Sequence, residues 1–138
     1  QVNSNSYGNQ TEYDLGLNCT ITPHRSDSKI LINANLAAIG KGSFYPNFYL
    51  NRGTTHIHEY QTYMNQNDWA VFYPNMVFLD SPSTTSAVTY KVTGKIIDVS
   101  GGDLRTNYNQ TNSDDTTVHG ELTGYGSRST IILMEVSG

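Results

Sequence analysis

Tyr13-Asp14-Leu15-Gly16-Leu17-Asn18-Cys19-Thr20-Ile21 alternates apolar with polar or small residues along its whole length. Successive side chains of a strand point to opposite faces, so Tyr13, Leu15, Leu17, Cys19 and Ile21 share one face and Asp14, Gly16, Asn18 and Thr20 the other. The stretch therefore reads as a half-buried strand, stopped by Pro23. Cys19 is the only cysteine of the chain, so it has no internal disulfide partner and reads as a small buried hydrophobe.

The same rhythm continues on the C-terminal side. A polar turn at Pro23 to Ser28 leads into the apolar run Lys29 to Ile39, which suggests a central strand covered on both faces. Phe44 to Leu50 is aromatic-rich, Asn51-Arg52-Gly53-Thr54 is a turn, and Thr55 to Tyr60 completes a hairpin. Tyr60 to Asp68 lacks apolar alternation and reads as an exposed loop. Trp69 to Leu79 resumes the strand pattern, and Pro74 inside it implies an edge, a bulge or a break into two pieces. Asp80 to Ser86 is a long turn, Val88 to Thr93 alternates strictly, and Lys95 to Val99 extends it past Gly94. Asp103 to Tyr108 is a weak strand, Asn109 to Asp115 a polar loop and Thr116 to Leu122 another strand. Ser129-Thr130-Ile131-Ile132-Leu133-Met134-Glu135-Val136 reads as a buried final strand. Eight to ten short strands without helical periodicity indicate an all-β, single-domain antiparallel sandwich of jelly-roll type spanning residues 1–138.

Composition narrows the function. Of the 138 residues, 36% are hydrophobic and 14% charged, with 10 Tyr and 12 Gly; neutral polar side chains do much of the solvating. A net charge of -4 with eight scattered Lys and Arg offers no basic stripe, so no nucleic-acid partner is expected. No run approaches a membrane span, and no membrane insertion is expected. Gln1 to Asn5 lack the features of a signal peptide, which suggests mature or trimmed material.

No Gly-x-Ser-x-Gly elbow, dinucleotide fingerprint or phosphate loop is present, so no enzyme and no cofactor is expected. Asp68, Asp114 and Asp115 are loop carboxylates that read as solvated, although glycoside cleavage depends on a spatial separation that spacing does not give. Asn109 to Asp115 is rich in oxygen ligands but lacks the ordered spacing of a calcium loop. His56-Ile57-His58 is the sharpest local pattern. On a regular strand residues i and i+2 share a side, which would aim both imidazoles at one point; three chains meeting there on a threefold axis would gather six ligands for a metal. Two histidines alone make a weak site, so the simpler reading is a polar strand face with Ile57 turned to the core.

The surplus of Tyr and Trp suggests recognition, because these side chains offer a rigid apolar body with a polar tip. Tyr60 and Tyr63, with Asn65, Gln66, Asn67 and Asp68, place aromatic platforms beside amide donors and acceptors, the equipment for a neutral glycan. Trp69 opens an apolar strand and reads as a core filler first and a contact residue second.

Four stretches carry a family resemblance: Leu17 to Ile32, Leu50-Asn51-Arg52-Gly53-Thr54, Asp80-Ser81-Pro82-Ser83-Thr84-Thr85-Ser86-Ala87-Val88-Thr89-Tyr90-Lys91-Val92, and Ser129 to Val136. Together they resemble a β domain found at the C-termini of tail-fibre and other structural proteins of tailed bacteriophages. The resemblance implies a virion component at the distal, extracellular end of an appendage, a homotrimer that touches a bacterial receptor, either glycan or outer-membrane protein. Residues 1–12 would then be the remnant of an upstream shaft or linker. In that family the segment corresponding to Thr55 to Leu79 varies freely, which suits recognition loops on a fixed scaffold. Exposed sheet edges in a thin sandwich independently favour association.

The leading expectation is thus a non-enzymatic receptor-binding tip. A structural trimerisation or capsid-decoration module is the second, and a depolymerase of surface polysaccharide the third.

Overall fold

The computed structural model describes residues 11–99, 103–106 and 128–137, and these form nine strands and no helix. In chain order they are β1 (Tyr13–Ile21), β2 (Lys29–Asn35), β3 (Ala38–Arg52), β4 (Thr55–Gln61), β5 (Met64–Phe72), β6 (Asn75–Asp80), β7 (Val88–Val99), β8 (Asp103–Thr106) and β9 (Thr130–Val136). All pairings are antiparallel and make two sheets. The larger runs β1-β7-β3-β4, with β5 and β8 paired to the first half of β3; the smaller runs β6-β2-β9. The arrangement is that of a β-sandwich. The expected strand at 116–122 and the polar loop at 109–115 lie outside the described residues.

β1 has the bounds its alternation predicts, with Leu15 buried and Leu17, Cys19 and Ile21 partly buried. Its register against β7 shifts between Asp14 and Leu17, and Gly16 takes up the shift at a φ of 70°. That left-handed conformation carries little penalty without a Cβ. Gly16 N–H donates to Asp14 Oδ1 at 2.8 Å, which closes the bulge locally.

The apolar run 29–39 is not one strand. It breaks at Leu36-Ala37, where the chain leaves the small sheet for the large one. The second crossing, at Tyr73-Pro74 between β5 and β6, lies beside the first, and Leu36 N–H donates to the Pro74 carbonyl at 2.8 Å. Pro74 thus breaks its run into two strands in different sheets, one of the three outcomes its position allows. Nor is β2 covered on both faces: Ile30, Ile32 and Ala34 are fully buried, whereas Leu31, Asn33 and Asn35 are only partly so.

The core lies between the sheets. Phe44, Phe48 and Leu50 of β3 and Tyr90, Val92 and Ile96 of β7 meet Ile30, Ile32 and Met76 of the small sheet. β1 lies along β9 and β4 along β6, so the two sheets meet at both margins. One polar knot ties them. Asp80, at the end of β6, accepts from Arg52 Nη1 at 3.0 Å and from the buried Tyr90 hydroxyl at 2.7 Å. Burial pushes the Tyr90 hydroxyl pKa up, and the hydrogen bond to Asp80 pushes it further. Gly53, at a φ of 58°, turns the β3–β4 hairpin and donates its N–H to the Thr89 carbonyl at 2.9 Å. The Arg-Gly hairpin, the Asp-Ser-Pro turn and the start of β7 are therefore one joint.

Candidate functional site

The site sits on the outer face of the large sheet, at the corner where β4 turns into β5. β3 must bury Phe44, Pro46 and Phe48, so strand parity sends Ser43 and Tyr45 outward. At the corner Thr62 N–H donates to the Pro46 carbonyl at 3.3 Å, which brings Tyr63 over the same face. The Tyr45 and Tyr63 rings lie 4.8 Å apart, tilted by 34°, and they are 40% and 51% exposed. The Tyr63 and Ser43 hydroxyls hydrogen-bond at 2.9 Å. One ring is thereby packed on its neighbour and pinned at its tip.

The expected exposed loop from Tyr60 to Asp68 is instead the end of β4, a two-residue corner and the first part of β5. It lacks alternation because β5 is an edge strand whose residues 65–68 are all exposed, so neither face demands apolar side chains. Asn65 lies opposite Ser43 and Gln66 opposite Gly42; Asn67 and Asp68 follow at an irregularity in the pairing. Asp68 Oδ1 accepts from the Trp69 N–H at 2.8 Å. One of the expected contact aromatics is placed differently: Tyr60 turns inward and packs on Phe48, with ring centroids 6.4 Å apart. Trp69 is half-buried within β5, between its two expected roles. The contact surface that remains is Tyr63 with Tyr45, Ser43 and the amide of Asn65, which lies opposite Ser43, whereas Gln66 shares the parity of the buried Met64 and leaves the other face of the edge strand. Tyr45 and Ser43 were missed, although the outward positions of the alternating run that contains Phe44 and Phe48 would have found them.

His56 and His58 do not converge. The β3–β4 register shifts between Leu50 and Asn51, so that Leu50 faces His58 and Asn51 faces His56, with Ile57 as the extra residue. A bulge of one residue inverts the alternation, and the two imidazoles leave opposite faces of the strand. His56 stacks on Tyr49 at 4.3 Å on the outer face, and His58 stacks on Phe78 of β6 at 5.4 Å. Ile57 does turn to the core. Among the described residues no group of three or more His, Cys, Asp or Glu could hold a metal ion.

Beside the tyrosine pair the outer face carries a buried polar layer. Asn47 Nδ2 donates to Glu59 Oε1 at 2.5 Å and to the Tyr49 hydroxyl at 3.1 Å, and Asn51 Nδ2 donates to Thr93 Oγ1 at 2.8 Å. Lys95 Nζ stands 5.4 Å from the centre of the Tyr49 ring, a cation–π contact. Glu12 accepts from Thr93 and from His56. Burial pushes the Glu12 carboxyl pKa up, but these hydrogen bonds and the nearby positive charges outweigh it and hold the carboxyl below its usual value. The layer stiffens β3 and β4 under the site.

An exposed aromatic pair with neutral amides and hydroxyls around it can pack against an apolar or sugar face and exchange hydrogen bonds at its rim. No family model matches the chain. No curated protein is similar enough in sequence to be counted a relative.

Proposed function

We propose that this chain is a non-enzymatic receptor-binding tip of a tailed-bacteriophage fibre or similar virion appendage, acting outside the cell on a bacterial surface glycan. The exposed, hydroxyl-pinned Tyr45–Tyr63 pair carries this reading. A ring held by its neighbour and by Ser43 loses little freedom on binding, so more of its contact energy appears as affinity. The Asn65 amide and the Ser43 and tyrosine hydroxyls supply donors and acceptors without charge, which suits a neutral sugar better than a phosphate or a basic peptide. The virion location rests on the resemblance of the strand and turn sequences alone. Several copies on one particle would turn weak single contacts into lasting attachment. In this reading the chain is a homotrimer and its two sheets form a jelly roll, supported by the paired crossings at Leu36-Ala37 and Tyr73-Pro74.

The test is binding of labelled protein to intact bacterial cells, with wild type beside Tyr63→Ala and Tyr45→Ala. Removing one aromatic contact of about 1–1.5 kcal/mol weakens each site by roughly tenfold. Cells whose glycans have been oxidised with periodate should lose the binding, while protease-treated cells keep it. The reverse pattern would point to an outer-membrane protein, and release of reducing sugar would establish a depolymerase. Binding unaltered in both variants would remove the tyrosine pair from the account.

A second reading, a structural association module of the virion, is favoured by a different observation: an open apolar face on the small sheet.

A further inference from the structure

The outward positions of β6, β2 and β9 bring Leu31, Val77, Leu79, Ile132, Met134 and Val136 onto one face of the small sheet. The register makes them neighbours: Leu31 stands between Leu79 and Met134, and Asn33 between Val77 and Ile132. Five of the six are 40% to 53% exposed, and Leu31 is partly exposed. Nothing among the described residues packs over this face. β9 therefore has apolar residues on both sides and only one side turned to the core, which explains why its sequence reads as a fully buried strand.

Three features of this face point to one occupant. The first is charge. Lys29, at one end of β2, is the only ionised side chain among the outward positions, in a chain of net charge -4. Beyond Lys29 a charged partner finds nothing here to pair with, and the face carries none of the negative charge that would repel another copy of the chain. The second is the polar end of the face. Asn75 Nδ2 donates to Asn33 Oδ1 at 3.1 Å and to Asn35 Oδ1 at 2.5 Å, and Asn35 Nδ2 donates to Asn33 Oδ1 at 3.1 Å. These amides satisfy one another across two strands, so covering them strands fewer unpaired groups. The third is area. Five apolar side chains near half exposure, with Leu31 between them, open on the order of 400 Å², at the size where a patch on a lone chain marks an interaction surface. With the asparagine end and Lys29 as a rim, the sheet face approaches the ~800 Å² that each partner gives to a stable interface.

We propose that this face is where the chain packs against its own copies, apolar centre to apolar centre. The proposal deepens the self-association in the reading above and is independent of its receptor, because Tyr45 and Tyr63 lie on the other sheet.

Sedimentation of the purified full chain tests it. Wild type at about 50 µM should show a mass that is a multiple of 15.3 kDa, and dilution should shift it towards the single chain. Leu79→Lys with Met134→Lys should sediment as a single chain with an unchanged far-ultraviolet circular dichroism spectrum. Should the lysine pair fail to fold, Val77→Thr with Ile132→Thr keeps strand-forming residues and should weaken association at least about tenfold. A wild type that stays a single chain at 50 µM overturns the proposal, and so does a folded lysine or threonine variant with undiminished association. A single-chain wild type that is strongly destabilised by the lysines would assign the face to residues of the same chain outside the described set, and would equally overturn it.

Discussion

Asp80 shows how much one side chain decides. Its carboxylate lies at the end of β6, 8% exposed, and accepts from a guanidinium of the hairpin and from a hydroxyl buried in β7. Removing one partner of such a group leaves the others buried and unpaired, which costs several times what the pair contributes when intact. Asp80→Ala should therefore lower unfolding free energy by about 3 kcal/mol, and Tyr90→Phe by about 1 kcal/mol, both read from urea melts. Equal small losses in the two variants would show that the knot is ornamental. The three residues were visible only as parts of separate motifs, Arg52 in a turn, Asp80 in a turn and Tyr90 in a strand. Their meeting depends on sheet pairing, which spacing along the chain does not encode. The histidine pattern failed for a related reason. Parity is counted along an unbroken strand, and the single extra residue at Ile57 reverses it.

At the scale of elements, the turn before β2 is clamped to the last strand. His24 donates its backbone N–H to Glu135 Oε1 at 2.8 Å, and its ring Nδ1 lies 2.7 Å from Glu135 Oε2. Hydrogen bonds from His24 and Ser28 push the Glu135 pKa down to about 2 from its ordinary 4.5, and Glu135 in turn raises that of His24 above its ordinary 6.5. The depressed carboxyl contributes stability above pH 4.5 that is lost as pH falls towards 2. The raised imidazole contributes stability below pH 6.5 that is lost as pH rises through its folded value. The clamp is therefore strongest between those limits. The melting-temperature gap between wild type and Glu135→Gln should be widest near pH 5.5 and narrow at both about pH 3 and about pH 9. A gap constant across that range would contradict the assignment.

Elements with one solvated and one buried face were legible. β1 and the first part of β7 follow their alternation because each has a single core to satisfy, whereas the β3–β4 hairpin was legible from its turn residues, not from parity. β5 was not, because an edge strand with both faces wet imposes no pattern. The break between β2 and β3 was hidden as well, since Leu36 and Ala37 stay buried while the chain changes sheets, and apolar continuity there reports burial rather than a continuous strand.

At the scale of the whole molecule, two outward faces do different work. The large sheet presents tyrosines and amides on a layer of hydrogen-bonded polar groups, and the small sheet presents an almost uncharged apolar surface. Composition had already indicated a thin core with solvating amides, and surplus aromatics suggested recognition. Which tyrosines were spared for contact depended on tertiary packing: Tyr60 and Tyr90 fill the interior, and Tyr63 finds its partner in Tyr45 across the β4–β5 corner. Truncating that pair should leave the fold intact, because both rings are largely outside the core. Tyr45→Ala and Tyr63→Ala are each expected to change stability by less than about 1 kcal/mol, measured by thermal melts, which separates a recognition defect from a folding defect.

The most direct measurement is a glycan array probed in parallel with wild type and with the folded Tyr45→Ala/Tyr63→Ala double variant. A cluster of related neutral glycans bound by wild type and dark with the double variant is the predicted result. A wild type that binds no glycan, or a double variant that lights the same set at the same strength, would contradict it.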